Sequence, residues 1–279
     1  MNLHIINTGK FKLDGGAMFG VVPQVIWKNL VTPDENNLCT WSMRCLLIEE
    51  GDRLILIDTG LGDKQSEKFF SYYFLSETIA LEKTLNEKGF TTDDVTDVFL
   101  THLHFDHCGG AVERVAENSY RAVFKNATYW SNQSHWDWAI TPNPREKASF
   151  LKENILPLQE SGQLKMINPE KRTDDLPFEI LFMDGHTEKQ MLPKFNYKGR
   201  DCIFAADLIP SYAHVPLPYV MGFDVRPLVT MTEKKEFLKM AAENNSVLFF
   251  EHDAQNECAS VKFSEKGVVI ESLFPLSAL

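Results

Sequence analysis

Between Thr101 and Gly110 the chain reads T-H-L-H-F-D-H-C-G-G, so His102, His104, Asp106 and His107 fall within six positions, directly after the apolar run 95–100. Imidazole and carboxylate groups taken out of water without a partner each cost several kcal/mol. A divalent cation offsets that cost and gives four such groups a reason to crowd together. Three of the chain's eight histidines lie in this one window, and nitrogen and oxygen donors of this kind suit zinc and its neighbours. If the segment leaves a strand, alternate side chains share a face. His102, His104 and Asp106 then converge while His107 reaches a second position, and one loop serves two metals.

Three more residues sit at or just past the ends of apolar stretches: His186 in F-M-D-G-H-T, Asp207 in I-F-A-A-D-L and His252 in L-F-F-E-H-D. A lone histidine or aspartate at such a place more often serves a turn or cap. Together with the loop, these three complete a set of seven ligands. The elements that must position them read as strands over 4–6, 45–49 and 53–58, the last ending in the turn signal T-G-L-G. A helical period runs over 66–88 to a stop at Gly89. A short helix is expected over 111–117, a strand over 122–130 and a helical excursion with a loop over 136–158. Strands follow over 178–183, 191–197, 201–205, 247–250 and 267–272, with a helix over 232–243. This order predicts an α/β chain, an αββα sandwich of two mixed β-sheets with helices on both outer faces. No repeat or low-complexity tract divides it, so 1–279 reads as a single domain.

Composition narrows the function. A net charge of −11 argues against nucleic acid as a partner, because phosphate binding relies on clustered Lys and Arg. With 44% hydrophobic residues, 20 Phe and 5 Trp there is ample material for a packed core. Cys39, Cys45, Cys108, Cys202 and Cys258 are odd in number, widely spaced and form no CxxC pair, which suits reduced thiols. Neither a secretory leader nor a membrane-spanning run is evident, so a cytoplasmic protein without a membrane partner is expected.

With these residues in view, the chain resembles the metallo-β-lactamase-fold hydrolases. It carries the H-x-H-x-D-H loop followed by His, Asp and His in the family's order, from I-D-T-G at 57–60 through His252. The G-A-M-F-G loop, L-I-P-S after Asp207, the P-L-P-Y-V-M-G-F-D segment and the E-H-D ending are similar to the branch of methyl parathion hydrolase-like and N-acyl homoserine lactonase-like enzymes. The resemblance implies that His102, His104 and His186 hold one metal, that Asp106, His107 and His252 hold the other, and that Asp207 bridges them. Zn²⁺ is the expected ion, and Fe²⁺, Mn²⁺ and Co²⁺ also suit the donors. Asp58 is cast as a carboxylate orienting a ligand histidine, with a plain turn role open beside it. The resemblance further implies a homodimer.

Two divalent ions a few ångströms apart bring a shared water toward hydroxide at neutral pH and polarise a C=O or P=O bond. The chain has no G-x-S-x-G elbow, P-loop or G-x-G-x-x-G fingerprint that would point elsewhere. Hydrolysis of a small ester-like substrate, a lactone, aryl ester or phosphotriester, is the expected reaction. Asp106 is expected to accept a hydrogen bond from the attacking group as well as to ligate. For protonating the leaving group, the lactonase branch places a tyrosine shortly after its bridging aspartate, where this chain has Pro210. Tyr212 and His214 are the substitutes, with packing and loop bonding open as their alternative roles. Phe19, Phe105 and Phe223, with Trp136 and Trp138, are expected to line the substrate pocket, and His135 reads as structural. A glyoxalase II-type thioester hydrolase and a metal-free binding scaffold are the competing readings.

Overall fold

Residues 45–48 are all buried, the pattern of a strand covered on both faces. They lie in the middle of β2, and a computed structural model describes residues 1–75, 77–171 and 175–279. In chain order the elements are β1 (Asn2–Asp14), α1 (Gly15–Phe19), α2 (Gln24–Trp27), β2 (Leu38–Glu50), β3 (Arg53–Ile57), α3 (Glu67–Ser71), β4 (Glu77–Thr78), α4 (Leu81–Glu87), β5 (Asp97–Phe99) and α5 (Phe105–Cys108). A hairpin of β6 (Val112–Ala116) and β7 (Ser119–Ala122) follows, then β8 (Thr128–Asn132), α6 (Gln133–Ile140), α7 (Lys152–Glu160) and β9 (Leu164–Ile167). The remainder is β10 (Glu179–Met183), β11 (Gln190–Tyr197), β12 (Arg200–Phe204), α8 (Pro227–Glu243), β13 (Val247–Phe249), β14 (Cys258–Ser264) and β15 (Gly267–Phe274). Contacts divide the chain into two units, Met1–Lys10 with Met43–Asp175 and Phe11–Ser42 with Leu176–Leu279.

The first unit is built on a seven-stranded mixed sheet ordered β4-β1-β2-β3-β5-β8-β9. Its β3, β5, β8 and β9 run parallel, which places Asp58 and the 101–110 loop together at the carboxyl ends of β3 and β5, where open parallel sheets gather ligands. Leu47, Leu56, Val98, Tyr129, Trp136 and Leu158 belong to the apolar cluster beneath. The second unit has a six-stranded sheet ordered β10-β11-β12-β13-β14-β15. All its neighbours are antiparallel except β12 and β13, which α8 joins by a crossover. His186 follows β10, Asp207 follows β12 and His252 follows β13. The expected α/β class and two mixed sheets are present.

Three local expectations are corrected. The 66–88 stretch is two short helices with β4 between them; Ser76 lies outside the described residues. Phe74 takes a left-handed φ of 45°, and pairing of β4 with Gly9 and Lys10 of β1 overrides the helical period. Within 111–117, Val112–Ala116 form β6, not a helix: Asn118 turns the chain at φ 55°, and Arg114 lies over the Tyr120 ring across the hairpin. The 122–130 strand is broken before β8, where the Gln163 amide caps the carbonyls of Phe124, Lys125 and Ala127. No described helix is long and apolar enough to cross a membrane, and all five cysteines are free and buried.

After β5 the chain is pressed against the turn that follows β3. A Cβ on Gly110 would lie 2.2 Å from the Thr59 carbonyl oxygen, and one on Gly109 2.1 Å from that of Leu61. Backbone on both sides leaves nothing flexible to move. Gly110→Ala is expected to destabilise the protein by about 1–3 kcal/mol, the range for overpacking, read as a lower urea midpoint at unchanged m-value. An unchanged midpoint would mean that the two turns are not in contact.

Candidate metal centre

In the first unit the loop does not continue β5 as a strand. The strand ends at Phe99, His104 precedes α5, and Asp106 and His107 sit on that single helical turn. The expected alternation along a strand is therefore replaced by a bend followed by a turn of helix. Convergence is nonetheless achieved: His102 Nε2 and His104 Nδ1 lie 3.1 Å apart, the His102 and His107 ring centres are 3.9 Å apart, and His107 Nε2 is 3.9 Å from Asp106 Oδ2. His102, His104, Asp106 and His107 are all buried.

Outer partners fix which nitrogen of each ring carries the proton. Asp58, wholly buried and held at a left-handed φ of 56°, accepts from the Thr101 amide at 2.8 Å and the Thr101 hydroxyl at 2.6 Å. It also accepts from His107 Nδ1 at 3.1 Å. With its only hydroxyl proton committed to Asp58, Thr101 Oγ1 accepts from His102 Nδ1 at 3.1 Å. His104 donates through Nε2 to the buried Glu146 at 3.4 Å, and Glu146 in turn accepts from Trp138 Nε1 and Asn143 Nδ2. A neutral imidazole that donates through one nitrogen presents a lone pair on the other. His102 Nε2 and His104 Nδ1 therefore face each other as lone pairs, an arrangement that calls for a positive charge between them. His135, read as structural, accepts the Leu103 amide at its Nε2 at 2.8 Å and so braces the loop between the two histidines.

The second unit repeats this logic. His186 Nδ1 donates to Asp224 at 2.9 Å, and His252 Nδ1 donates to the Ser42 carbonyl at 2.8 Å. The opposite nitrogens both face Asp207: His186 Nε2 lies 3.2 Å from its Oδ2 and His252 Nε2 3.1 Å from its Oδ1. Each carboxylate oxygen thus meets a different imidazole lone pair, and each pair calls for its own positive charge. Two donors bound tetrahedrally to one zinc at about 2.0–2.1 Å are about 3.3 Å apart, close to these separations. Ala206, just before Asp207, takes φ 40°, the kind of local strain that collects at functional sites. Side chains able to hold a metal ion thus include His102, His104, Asp106 and His107 in the first unit and His186, Asp207 and His252 in the second. The donor set fits a divalent cation.

The polar atoms and rings of the other expected site residues make the following contacts. The Tyr212 hydroxyl donates to the Leu30 carbonyl at 2.6 Å. His214 Nε2 donates to the Met18 carbonyl at 2.9 Å, and its Nδ1 meets Ser211 Oγ at 2.8 Å. With both nitrogens committed and burial pushing its pKa down to about 3, His214 is a structural group; Tyr212 and His214 are not retained as proton donors. Phe19 is wholly buried, with ring centres 5.0 Å from Trp27 and 4.7 Å from His214, so it is core rather than pocket wall. Trp136 belongs to the core of the first unit. Phe105 packs on Phe69 and Tyr73 in the first unit, and Phe223 is 40% exposed. Sequence reasoning assigned no role to Thr101, Glu146 or Asp224. Glu146 and Asp224 lie 42 and 38 positions from the histidines they orient, so no local spacing marks them.

Residues 44–252 match the model of the metallo-beta-lactamase superfamily, and the chain belongs to that superfamily of metal-dependent hydrolases. It is 23% identical to an N-acyl homoserine lactonase of Bacillus thuringiensis over 94% of this chain and 97% of that protein. Among solved structures it is similar to a probable metal-dependent hydrolase from Staphylococcus aureus, with 27% identity, a TM-score of 0.89 and coverage of 100% of this chain and 98% of that one. It also shares its fold with AidC, a dizinc quorum-quenching lactonase in complex with a product, at 24% identity, TM-score 0.78 and coverage of 98% and 95%.

The His214 environment gives a pH prediction. Its folded pKa of about 3 lies below the ordinary 6.5, so the unfolded chain takes up the proton first as pH falls. Stability from this group is complete above about pH 6.5 and is lost progressively toward about pH 3. Urea unfolding of the parent chain is expected to show a midpoint that declines across that window. In His214→Gln, which keeps a donor and an acceptor but does not titrate, much of the decline should vanish; equal slopes would contradict the assignment.

Proposed function

We propose that the chain is a dinuclear metal-dependent hydrolase working as one domain over 1–279, in which His102, His104 and His186 hold one divalent ion, Asp106, His107 and His252 hold a second, and Asp207 bridges them. The observation that carries this reading is Asp207, whose two oxygens face the lone pairs of two different histidines. The family match over 44–252, which includes all seven residues, supports this reading. Ions so held supply Lewis acidity and an acidified water, and zinc is the ion proposed, since AidC is described as a dizinc enzyme.

The chain's own groups do the rest. Asp58, Glu146, Asp224 and the Ser42 carbonyl hold the rings in one tautomer, which keeps the donor nitrogens basic and aimed. Asp106 accepts a hydrogen bond from the attacking water. Curated relatives named N-acyl homoserine lactonases support a small neutral ester, a lactone above all, as substrate; the net charge of −11 disfavours polyanionic partners.

Metal analysis of the purified chain is expected to find two equivalents, and a panel of lactones, aryl esters, phosphotriesters and thioesters to rank lactones first. Asp207→Ala should hold at most one equivalent and lose more than the about 100-fold in activity that an outer-shell change can cost. Asp58→Asn should weaken metal retention by about 10–100-fold. A chain inert toward the whole panel after metal loading would contradict the hydrolase reading, and a thioester ranked first would favour the glyoxalase-type alternative.

A further inference from the structure

One face of α8 carries Thr230, Glu233, Lys234 and Phe237, and its polar members all reach backbone or side chains that lead to proposed ligands. The Glu233 carboxylate accepts two successive amides of the turn before His186, from Asp184 at 2.7 Å and from Gly185 at 2.9 Å. Arg226, at the start of the helix, donates through Nη1 to the Asp184 carbonyl at 2.6 Å, and its amide donates to the Gly185 carbonyl at 2.9 Å. The approach is so close that a Cβ on Gly185 would lie 2.4 Å from the Thr230 nitrogen and 2.5 Å from its Cα. The Thr230 hydroxyl donates to Asp224 Oδ2 at 2.7 Å, and Asp224 Oδ1 accepts from the His186 ring at 2.9 Å. Lys234 donates to the carbonyls of His214, Pro216 and Tyr219, tying down the segment between Asp207 and Asp224.

The geometry points to Glu233 as a positioning residue for His186, with α8 as the frame that grips this histidine twice: at its backbone through Glu233 and at its ring through Thr230 and Asp224. This inference rests on the proposed role of His186 as a metal ligand. A turn that only had to reverse the chain between β10 and β11 would leave its amides to water. Here a half-buried carboxylate, whose pKa burial raises, takes both. A carboxylate with two oxygens aimed at two adjacent N–H groups fixes the turn in rotation as well as position, and a ligand histidine needs both to meet its ion. Thr230 and Glu233 are one helical turn apart, so the two grips move as one body.

The test uses the full chain with metal removed and Co²⁺ added back, following visible absorption and chelator competition, together with ¹⁵N resonances of the His186 ring in the metal-free protein. Glu233→Gln keeps the shape but sets an amide NH₂ against one of the two N–H donors. It is expected to weaken one of the two Co²⁺ equivalents by about 10-fold or more, to leave the other unchanged and to shift the His186 ring resonances, with the far-UV spectrum of the parent. Thr230→Val, which breaks only the ring grip, should weaken the same equivalent, and it decides the matter should Glu233→Gln not fold. Parent-like Co²⁺ affinity and parent-like His186 resonances in a folded variant would overturn the positioning role. A parent chain that takes up no Co²⁺ would instead overturn the dinuclear reading, and the His186 resonances alone would then judge Glu233.

Discussion

An imidazole ring has two nitrogens, and committing the proton to one of them decides what the other can do. Each of the five candidate ligand histidines gives one nitrogen to an outer partner: Thr101 for His102, Glu146 for His104, Asp58 for His107, Asp224 for His186 and the Ser42 carbonyl for His252. Four of the nitrogens left over meet one another or Asp207 at 3.1–3.2 Å, and that of His107 lies 3.9 Å from Asp106 Oδ2. Lone pairs brought that close in a buried place repel unless something positive lies between them. The rest of the arrangement follows from satisfying this constraint.

The fold meets it by placing the outer partners on rigid neighbours. Asp58 stands at the end of β3 beside the loop that follows β5, and the close backbone contact at Gly109 and Gly110 holds the two turns in register. In the second unit, α8 joins the parallel pair β12 and β13 and also fastens the turn that carries His186. Helix α8 therefore links core packing to ring orientation. On the proposed reading, a substitution far from any ligand reaches the ions only through such a chain of bonds.

The inner residues were legible in the sequence because their clustering is local: His102, His104, Asp106 and His107 share one loop, and the partners of Asp207 each end an apolar strand. The outer partners were legible only in part: the I-D-T-G turn marked Asp58 as a carboxylate orienting a histidine, whereas Glu146 is 42 positions from His104 and Asp224 is 38 from His186. Tyr212 and His214 attracted attention by their place after Asp207, yet local loop bonds claim their polar atoms. Phe19, expected in the pocket wall, instead stacks on Trp27 and His214. β4 pairs with β1 from distant sequence and β6 with β7 just across the Asn118 turn, and in both cases the ladder outweighs weak local helical propensity.

The central proposal is that His102, His104, Asp106, His107, His186 and His252 hold a pair of ions with Asp207 as their common ligand. Anomalous diffraction at the metal edge from crystals of the zinc-loaded chain tests it most directly. The account predicts two peaks a few ångströms apart, one bound by His102, His104 and His186, the other by Asp106, His107 and His252, with an Asp207 oxygen on each. A single peak, or peaks that leave His186, Asp207 and His252 uncoordinated, would contradict it.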